Sequence, residues 1–244
     1  MSATQTDSLN RKSLDAVERY YSQPRDAAGD APRTIYEIWE EGGAFNDSIT
    51  PSTHCPEYRS HMRRKMVSLT GEGARVFSFG CGNAFIEADL VEDGRAVTAM
   101  DCNAEAVSLA AAKGIDAFRA DYFDLPADTL AGVDLVYADG FLGHVFDETS
   151  GLEPFFDKLA VLGLAAGAHF VISNDAPMDP ADRFAPHPRV DDFWFLSRSY
   201  LREALATRGF ECLEAYYFPY LRPQSGLRNR TICVARAIDP ERGR

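Results

Sequence analysis

The sequence contains no Cys-x-x-Cys pair, and its five cysteines, Cys55, Cys81, Cys102, Cys212 and Cys233, are scattered. An odd count without spacing builds neither a disulfide framework nor a zinc site. The five histidines are equally dispersed, so no metal is expected. Basic charge is scarce: 25 Lys and Arg face 37 Asp and Glu, a formal net charge of −12. A protein that grips phosphate backbones needs clustered Lys and Arg, so nucleic acid is not an expected partner and small ligands are favoured. No apolar run is long enough to span a bilayer, and Met1 to Asp7 has neither the basic region nor the apolar core of a signal peptide. The expectation is a cytoplasmic protein with no membrane partner. There is no internal repeat or low-complexity tract.

What is present suits one α/β domain with a modest addition, since 45% of the 244 residues are hydrophobic. Residues 1–70 read as a helical cap or lid. Leu14, Val17 and Tyr21 share one face of a first helix that Pro24 ends, and Gly29 and Pro32 mark a loop. The aromatic segment Ile35 to Trp39 follows. Pro56 opens a third helix with Tyr58, Met62, Met66 and Leu69 on one face, and Arg59, Arg63 and Arg64 on a solvated one.

From Ala74 strands and helices alternate, the signature of a doubly wound, mostly parallel sheet over residues 71–238. Seven strands are predicted: 75–79, 96–100, 116–119, 133–138, 169–173, 211–217 and 231–236. Helices are predicted over 83–92, 103–113, about 152–162 and 197–208. Pro177, Pro180, Pro186 and Pro188 mark a loop insertion at about 176–196, of a length often used as a functional cover. The Arg-rich tip from Arg222 to Arg230 and the tail at 239–244 are expected to be exposed.

The chain is organised around Val76 to Leu90, where an apolar run breaks into Gly80-Cys81-Gly82 and then an amphipathic segment. Glycines let the backbone lie close to a ligand, and the new helix aims unpaired N–H groups at it. Asp101 falls about 20 residues further on, where an acid meets ribose hydroxyls. A dinucleotide fingerprint wants a third glycine, yet Asn83-Ala84-Phe85 follows, so a nucleoside without phosphates suits the turn better. Cys81 and Cys102 fit as small residues at turns and strand ends rather than as nucleophiles.

These residues resemble the class I S-adenosylmethionine-dependent methyltransferases over nearly all of Ala74 to Arg236. The family's first motif is an acid followed by x-Gly-x-Gly-x-Gly; here Ser78 takes the acid's place and Ala84 the last glycine's. The resemblance implies a Rossmann-like seven-stranded fold and S-adenosylmethionine as cofactor. Asp101, with Cys102, matches the ribose-binding position. Asp121, with Tyr122, matches the adenine-binding position, and Asp139 to His144 matches the variable motif after the fourth strand. Gly80, Cys81 and Gly82 would hold the methionine part.

Methyl transfer needs the nucleophile held close, aligned and dry, with a general base only for a protonated acceptor. His144 is the first candidate base, or else a structural histidine. Asp139 and the pair Asn174-Asp175 either hold the cofactor's amino end or a cationic substrate, or serve as caps and turns. Tyr21 and Tyr36 are the aromatics expected to touch ligand, since a sulfonium gains from ring faces. The helical cap, the insertion and the absence of an Asn-Pro-Pro-Tyr-like motif point to a small-molecule methyltransferase of secondary metabolism. The alternatives are an enzyme that attacks another sulfonium carbon and releases methylthioadenosine, or a non-catalytic nucleoside-binding regulator. The aromatic-rich cap is also compatible with a homodimer.

Overall fold

The computed structural model describes residues 13–25 and 31–239. Residues 1–12 of the expected cap, the loop glycine Gly29 and residues 240–244 of the expected tail lie outside them. Before the sheet come α1 (Asp15–Ser22), α2 (Ile35–Glu40), α3 (Pro51–His54) and α4 (Pro56–Leu69). The sheet is built from β1 (Arg75–Phe79), β2 (Ala96–Asp101), β3 (Asp116–Arg119), β4 (Leu135–Asp139), β5 (His169–Asp175), β8 (Phe210–Arg222) and β9 (Gly226–Ala237). Its order is β3-β2-β1-β4-β5-β9-β8, with β1 to β5 parallel and β9 antiparallel to both its neighbours. The crossover helices are α5 (Phe85–Glu92), α6 (Ala104–Ala112), α7 (Phe141–Val145), α8 (Glu153–Val161) and α9 (Arg198–Ala206). The doubly wound sheet expected from the alternating pattern is thus the fold observed.

Covered on both faces, the central strands can be apolar throughout, and each sends alternate residues to opposite layers. Phe77, Phe79, Val136, Ala138, Phe170 and Ile172 meet Phe155, Leu159, Leu201 and Leu205 on one side. Val76, Leu135, Tyr137 and Val171 meet Tyr58, Met62, Met66, Ile86 and Leu90 on the other. The strand order reverses between β2-β1 and β4-β5, and there the crossovers diverge to leave a crevice beyond the strands' C-terminal ends.

The structure corrects four expectations. The helix opened by Pro56 is the fourth, because α3 precedes it. Its arginines are not simply a solvated face: Arg59 grips Asp89 through two hydrogen bonds of 2.7 and 2.6 Å, and Arg63 grips Asp93 at 2.7 and 2.8 Å, tying α4 to α5. The insertion holds a small hairpin, β6 (Phe184–Pro186) with β7 (Trp194–Leu196), so it is not wholly irregular. Last, Arg222 and Arg230 are buried, at 9% and 3% exposure. The β8–β9 hairpin continues the sheet past the expected strand ends, and its inward-facing positions meet carboxylates rather than water.

Among the described residues no helix is long and apolar enough to cross a membrane. Met62 is fully buried between α4 and the sheet. Met62→Ala is expected to cost about 2–4 kcal/mol of stability, read by urea denaturation, from lost burial and the cavity left behind. Arg63→Ala, in a pair with a 36% exposed guanidinium, is expected to cost about 1 kcal/mol or less.

Candidate functional site

One cavity runs along the crevice from Met100, Asp101 and Cys102 at the end of β2, past the Gly80-Cys81-Gly82 turn, to Asp139 and Asp175 at the ends of β4 and β5. Tyr21, Tyr36 and Trp39 from α1 and α2 form a wall, as do His187, Val190 and Phe193 from the insertion. Gly80 has φ +64° and would drive a Cβ to 2.7 Å from the Phe141 ring, so only glycine fits there. Ala84 keeps a left-handed φ of 54°, so the backbone preserves the turn even where the motif's last glycine is missing.

Asp101 is buried at the strand end. Its oxygens accept from the Gly82 N–H at 3.0 Å and the Asn103 N–H at 2.9 Å, which joins the acid to the glycine turn. Burial raises its pKa, and these N–H donors pull the other way. Each carboxylate oxygen has two lone pairs, so capacity remains for ligand hydroxyls.

The missing acid at Ser78 has a counterpart that sequence reasoning did not find. Ser78 Oγ donates at 2.6 Å to Oε1 of Glu87, in the first turn of α5, and that buried carboxyl lines the cavity. Burial pushes Glu87 up to about 7, against the hydrogen bond from Ser78. The only signal was a polar Ser on a buried strand with an acid in the first turn of the next helix. Beside it, Asn83 donates to the Tyr36 carbonyl at 3.1 Å and to Glu40 at 2.6 Å, while its Oδ1 is buried without a hydrogen-bond partner. An orphaned acceptor in a cavity wall calls for a donor from a ligand.

At the far end Asp139 and Asp175 are joined by Arg230, which is paired with Asp139 and reaches Asp175 at 3.2 Å. Arg222 pairs with Asp175 at 2.7 Å. Tyr58 and Tyr137 donate to Asp139 at 3.0 and 3.1 Å, and Tyr220 to Asp175 at 2.6 Å. Burial alone would raise Asp175, but the two guanidiniums hold it far below the usual carboxylate range. Two acids and two bases thus form a neutral, hydrogen-bonded block, the arrangement that lets charges stay buried. Asp139 lines the cavity with both oxygens already engaged, which suits it to positioning more than to taking a proton. Arg230 and Arg222 were missed; the alternation Tyr220-x-Arg222 and Arg228-x-Arg230 was their signal.

His144 and Tyr21 also line the cavity, and their Nε2 and Oη lie 3.0 Å apart. Tyr21 stacks on Tyr36 with ring centroids 5.4 Å apart and meets Trp39 edge-on at 5.7 Å. Other expected residues lie elsewhere. Tyr122 is fully buried, stacked on Phe155 at 4.9 Å and donating to the Phe155 carbonyl, so it is core rather than cavity wall. Asp121 caps the turn after β3 by accepting from the Phe123 N–H at 2.8 Å and does not line the cavity. Asn174 is spent on the Gly143 N–H and the Trp194 carbonyl, pinning α7 to the insertion. Cys81 and Cys102 line the cavity as protonated thiols, burial pushing Cys102 up to about 12.

No protein-family model matches the chain. It is 58% identical over 222 residues to a tabtoxin biosynthesis enzyme of Pseudomonas amygdali pv. tabaci, covering 91% of this chain and 88% of that one. The chain belongs to that enzyme's family. Its fold is that of the class I S-adenosylmethionine-dependent methyltransferases. The 1,6-didemethyltoxoflavin-N1-methyltransferase of Burkholderia thailandensis, solved with its substrate and S-adenosylhomocysteine, aligns at TM-score 0.61 and 20% identity over 88% of this chain and 94% of that one. The (4+2)-cyclase SpnF aligns at 0.62 and 15% identity over 83% and 91%. A Methanosarcina mazei S-adenosylmethionine-dependent methyltransferase aligns at 0.57 and 16% over 71% and 97%.

Glu87 gives the folded chain a measurable pH signature. Between the ordinary glutamate value of 4.5 and about 7 the folded chain holds a proton that the unfolded chain has lost. Stability therefore falls as pH rises through that window and levels off above it, by up to about 3 kcal/mol. Glu87→Gln, which keeps an acceptor for Ser78, is expected to remove that slope and to be the more stable protein at pH 8, by urea denaturation across pH 4.5–8.

Proposed function

We propose that this protein is an S-adenosylmethionine-dependent methyltransferase acting on a small molecule in secondary metabolism. The observation that carries this reading is the pairing of two buried carboxyls, Asp101 and Glu87, on either side of the Gly80-Cys81-Gly82 turn in one cavity. The first suits ribose hydroxyls, the second an ammonium, and among the described residues lining the turn between them, Gly80 to Asn83, none is basic to meet a pyrophosphate. The Asn83 Oδ1 acceptor and the N-terminus of α5, which carries no side-chain cap, suit the two ends of an amino acid moiety. The fold and the relative named for toxin biosynthesis support the same reading.

When bound, S-adenosylmethionine supplies a methyl group on a sulfonium, open to in-line displacement. The residues of this chain have three tasks around it. Asp101 accepts from the ribose, and Glu87, ionised by the neighbouring ammonium, anchors the methionine end. Tyr21, Tyr36 and Trp39 offer ring faces to positive charge and exclude water, with α1 and α2 serving as the cover. His144, hydrogen-bonded to Tyr21, takes the proton of a protonated acceptor. Asp139, held by Arg230, Tyr58 and Tyr137, keeps the floor of the cavity in place.

Asp101→Ala is expected to weaken S-adenosylmethionine binding about tenfold or more by calorimetric titration. With a small-metabolite extract, mass spectrometry is expected to find S-adenosylhomocysteine. Methylthioadenosine instead would mean attack on another sulfonium carbon. Tight binding with no turnover would mean a sensor, and no binding at all would overturn the reading.

A further inference from the structure

A second cavity adjoins the first and shares Ser48, His187, Val190 and Arg222 with it. Arg25, Arg189 and Arg228 also line it, so four guanidiniums converge on one small space in a chain of net charge −12. Their charge is poorly balanced. Arg222 belongs to the neutral block with Asp175, and its Nη1 makes no hydrogen bond among the described residues. That leaves Arg25, Arg189 and Arg228 against one carboxylate among the described lining residues, Asp47. Asp47 is already occupied: Oδ1 accepts from the Gln224 and Ser225 N–H groups at 2.9 and 3.0 Å, and Arg189 comes no nearer to Oδ2 than 3.8 Å.

Two of these arginines make no ion pair with a carboxylate among the described residues. Arg228 has no carboxylate partner and lies over the Phe195 ring at 5.3 Å. Arg25 donates through Nη2 to the Tyr20 carbonyl at 2.7 Å and lies over the Tyr20 ring at 4.8 Å, while its Nε is buried with no partner. His187, at the junction of the two cavities, accepts from the Arg189 and Val190 N–H groups through Nδ1, which places its proton on Nε2. Burial and the neighbouring arginines, against Asp175, lower His187 to about 4, so at neutral pH it is an uncharged donor.

We propose that the methyl acceptor carries an anionic group, a carboxylate or a phosphate, which docks among Arg25, Arg222, Arg228 and His187 while its nucleophile faces the main cavity. This inference rests on the methyltransferase reading for the word acceptor; the anion site itself does not. Guanidinium forks match both groups, and desolvated walls strengthen the attraction. A long cavity with a neutral floor and a cationic end favours a substrate with one charged terminus, entering charged end toward the insertion.

The test titrates the full-length protein, alone and with S-adenosylhomocysteine, against glutarate, inorganic phosphate and uncharged 1,5-pentanediol. Wild type is compared with Arg228→Gln and Arg25→Gln, and thermal melting confirms that each is folded. At least one anion is expected to bind and the diol not to. Each variant is expected to weaken that binding about tenfold while leaving S-adenosylhomocysteine affinity unchanged. A preference for glutarate assigns a carboxylate acceptor, and a preference for phosphate assigns a phosphorylated one. No anion binding to wild type, or equal binding to both variants, would overturn the proposal. Arginine-dependent anion binding without S-adenosylhomocysteine binding would uphold the anion site and overturn the methyltransferase reading instead.

Discussion

The bridge made by Arg230 between Asp139 and Asp175 is the interaction on which the site depends. It joins the C-terminal ends of β4 and β5 to the β8–β9 hairpin, and it does so in the interior, where a lone guanidinium or carboxylate would be expelled or neutralised. Ser173, Tyr58, Tyr137, Tyr220 and Arg222 complete the hydrogen bonding. With the charges balanced and most of the donors engaged, the block is a rigid floor. The cavity above it can then be shaped by aromatic side chains from α1, α2 and the insertion without the strand ends drifting.

A second constraint lies at the glycine turn. The backbone retains its left-handed steps at Gly80, Gly82 and Ala84, although one of the usual glycines has been replaced. A buried carboxyl likewise stands beside the turn, not at the end of β1 but as Glu87 in the first turn of α5, with Ser78 its hydrogen-bond donor. Both departures from the resembled motif leave a left-handed turn with a buried carboxyl beside it. Glu87 is held mostly by burial, so a positive charge brought beside it would draw out its proton.

The sheet was legible because its central strands are short, apolar and punctuated: Arg75 to Phe79, Ala96 to Met100 and the turns at Gly94 and Gly114 announce themselves by composition. Asp101, Gly80 and Gly82 could be placed at the cavity because a strand end fixes where its last residue points. Tyr122 and Arg230 were not legible for the same physical reason with opposite sign. Whether a tyrosine after β3 faces a ligand or the core depends on Phe79, Phe141 and Phe155, brought to it from distant segments. Whether an Arg-rich strand lies in water depends on carboxylates 47 and 91 residues away in the chain. Local pattern specifies elements; buried charge is specified by partners that only folding assembles.

The most direct measurement is a crystal structure of the protein with S-adenosylhomocysteine. The expected result is ribose hydroxyls on the Asp101 carboxylate, the methionine ammonium on Glu87 with Asn83 Oδ1 beside it, and the sulfur facing Tyr21 and His144. Ligand density elsewhere, or a cavity in which Glu87 remains paired only with Ser78 while the ammonium is held by other residues, would contradict this assignment of the site.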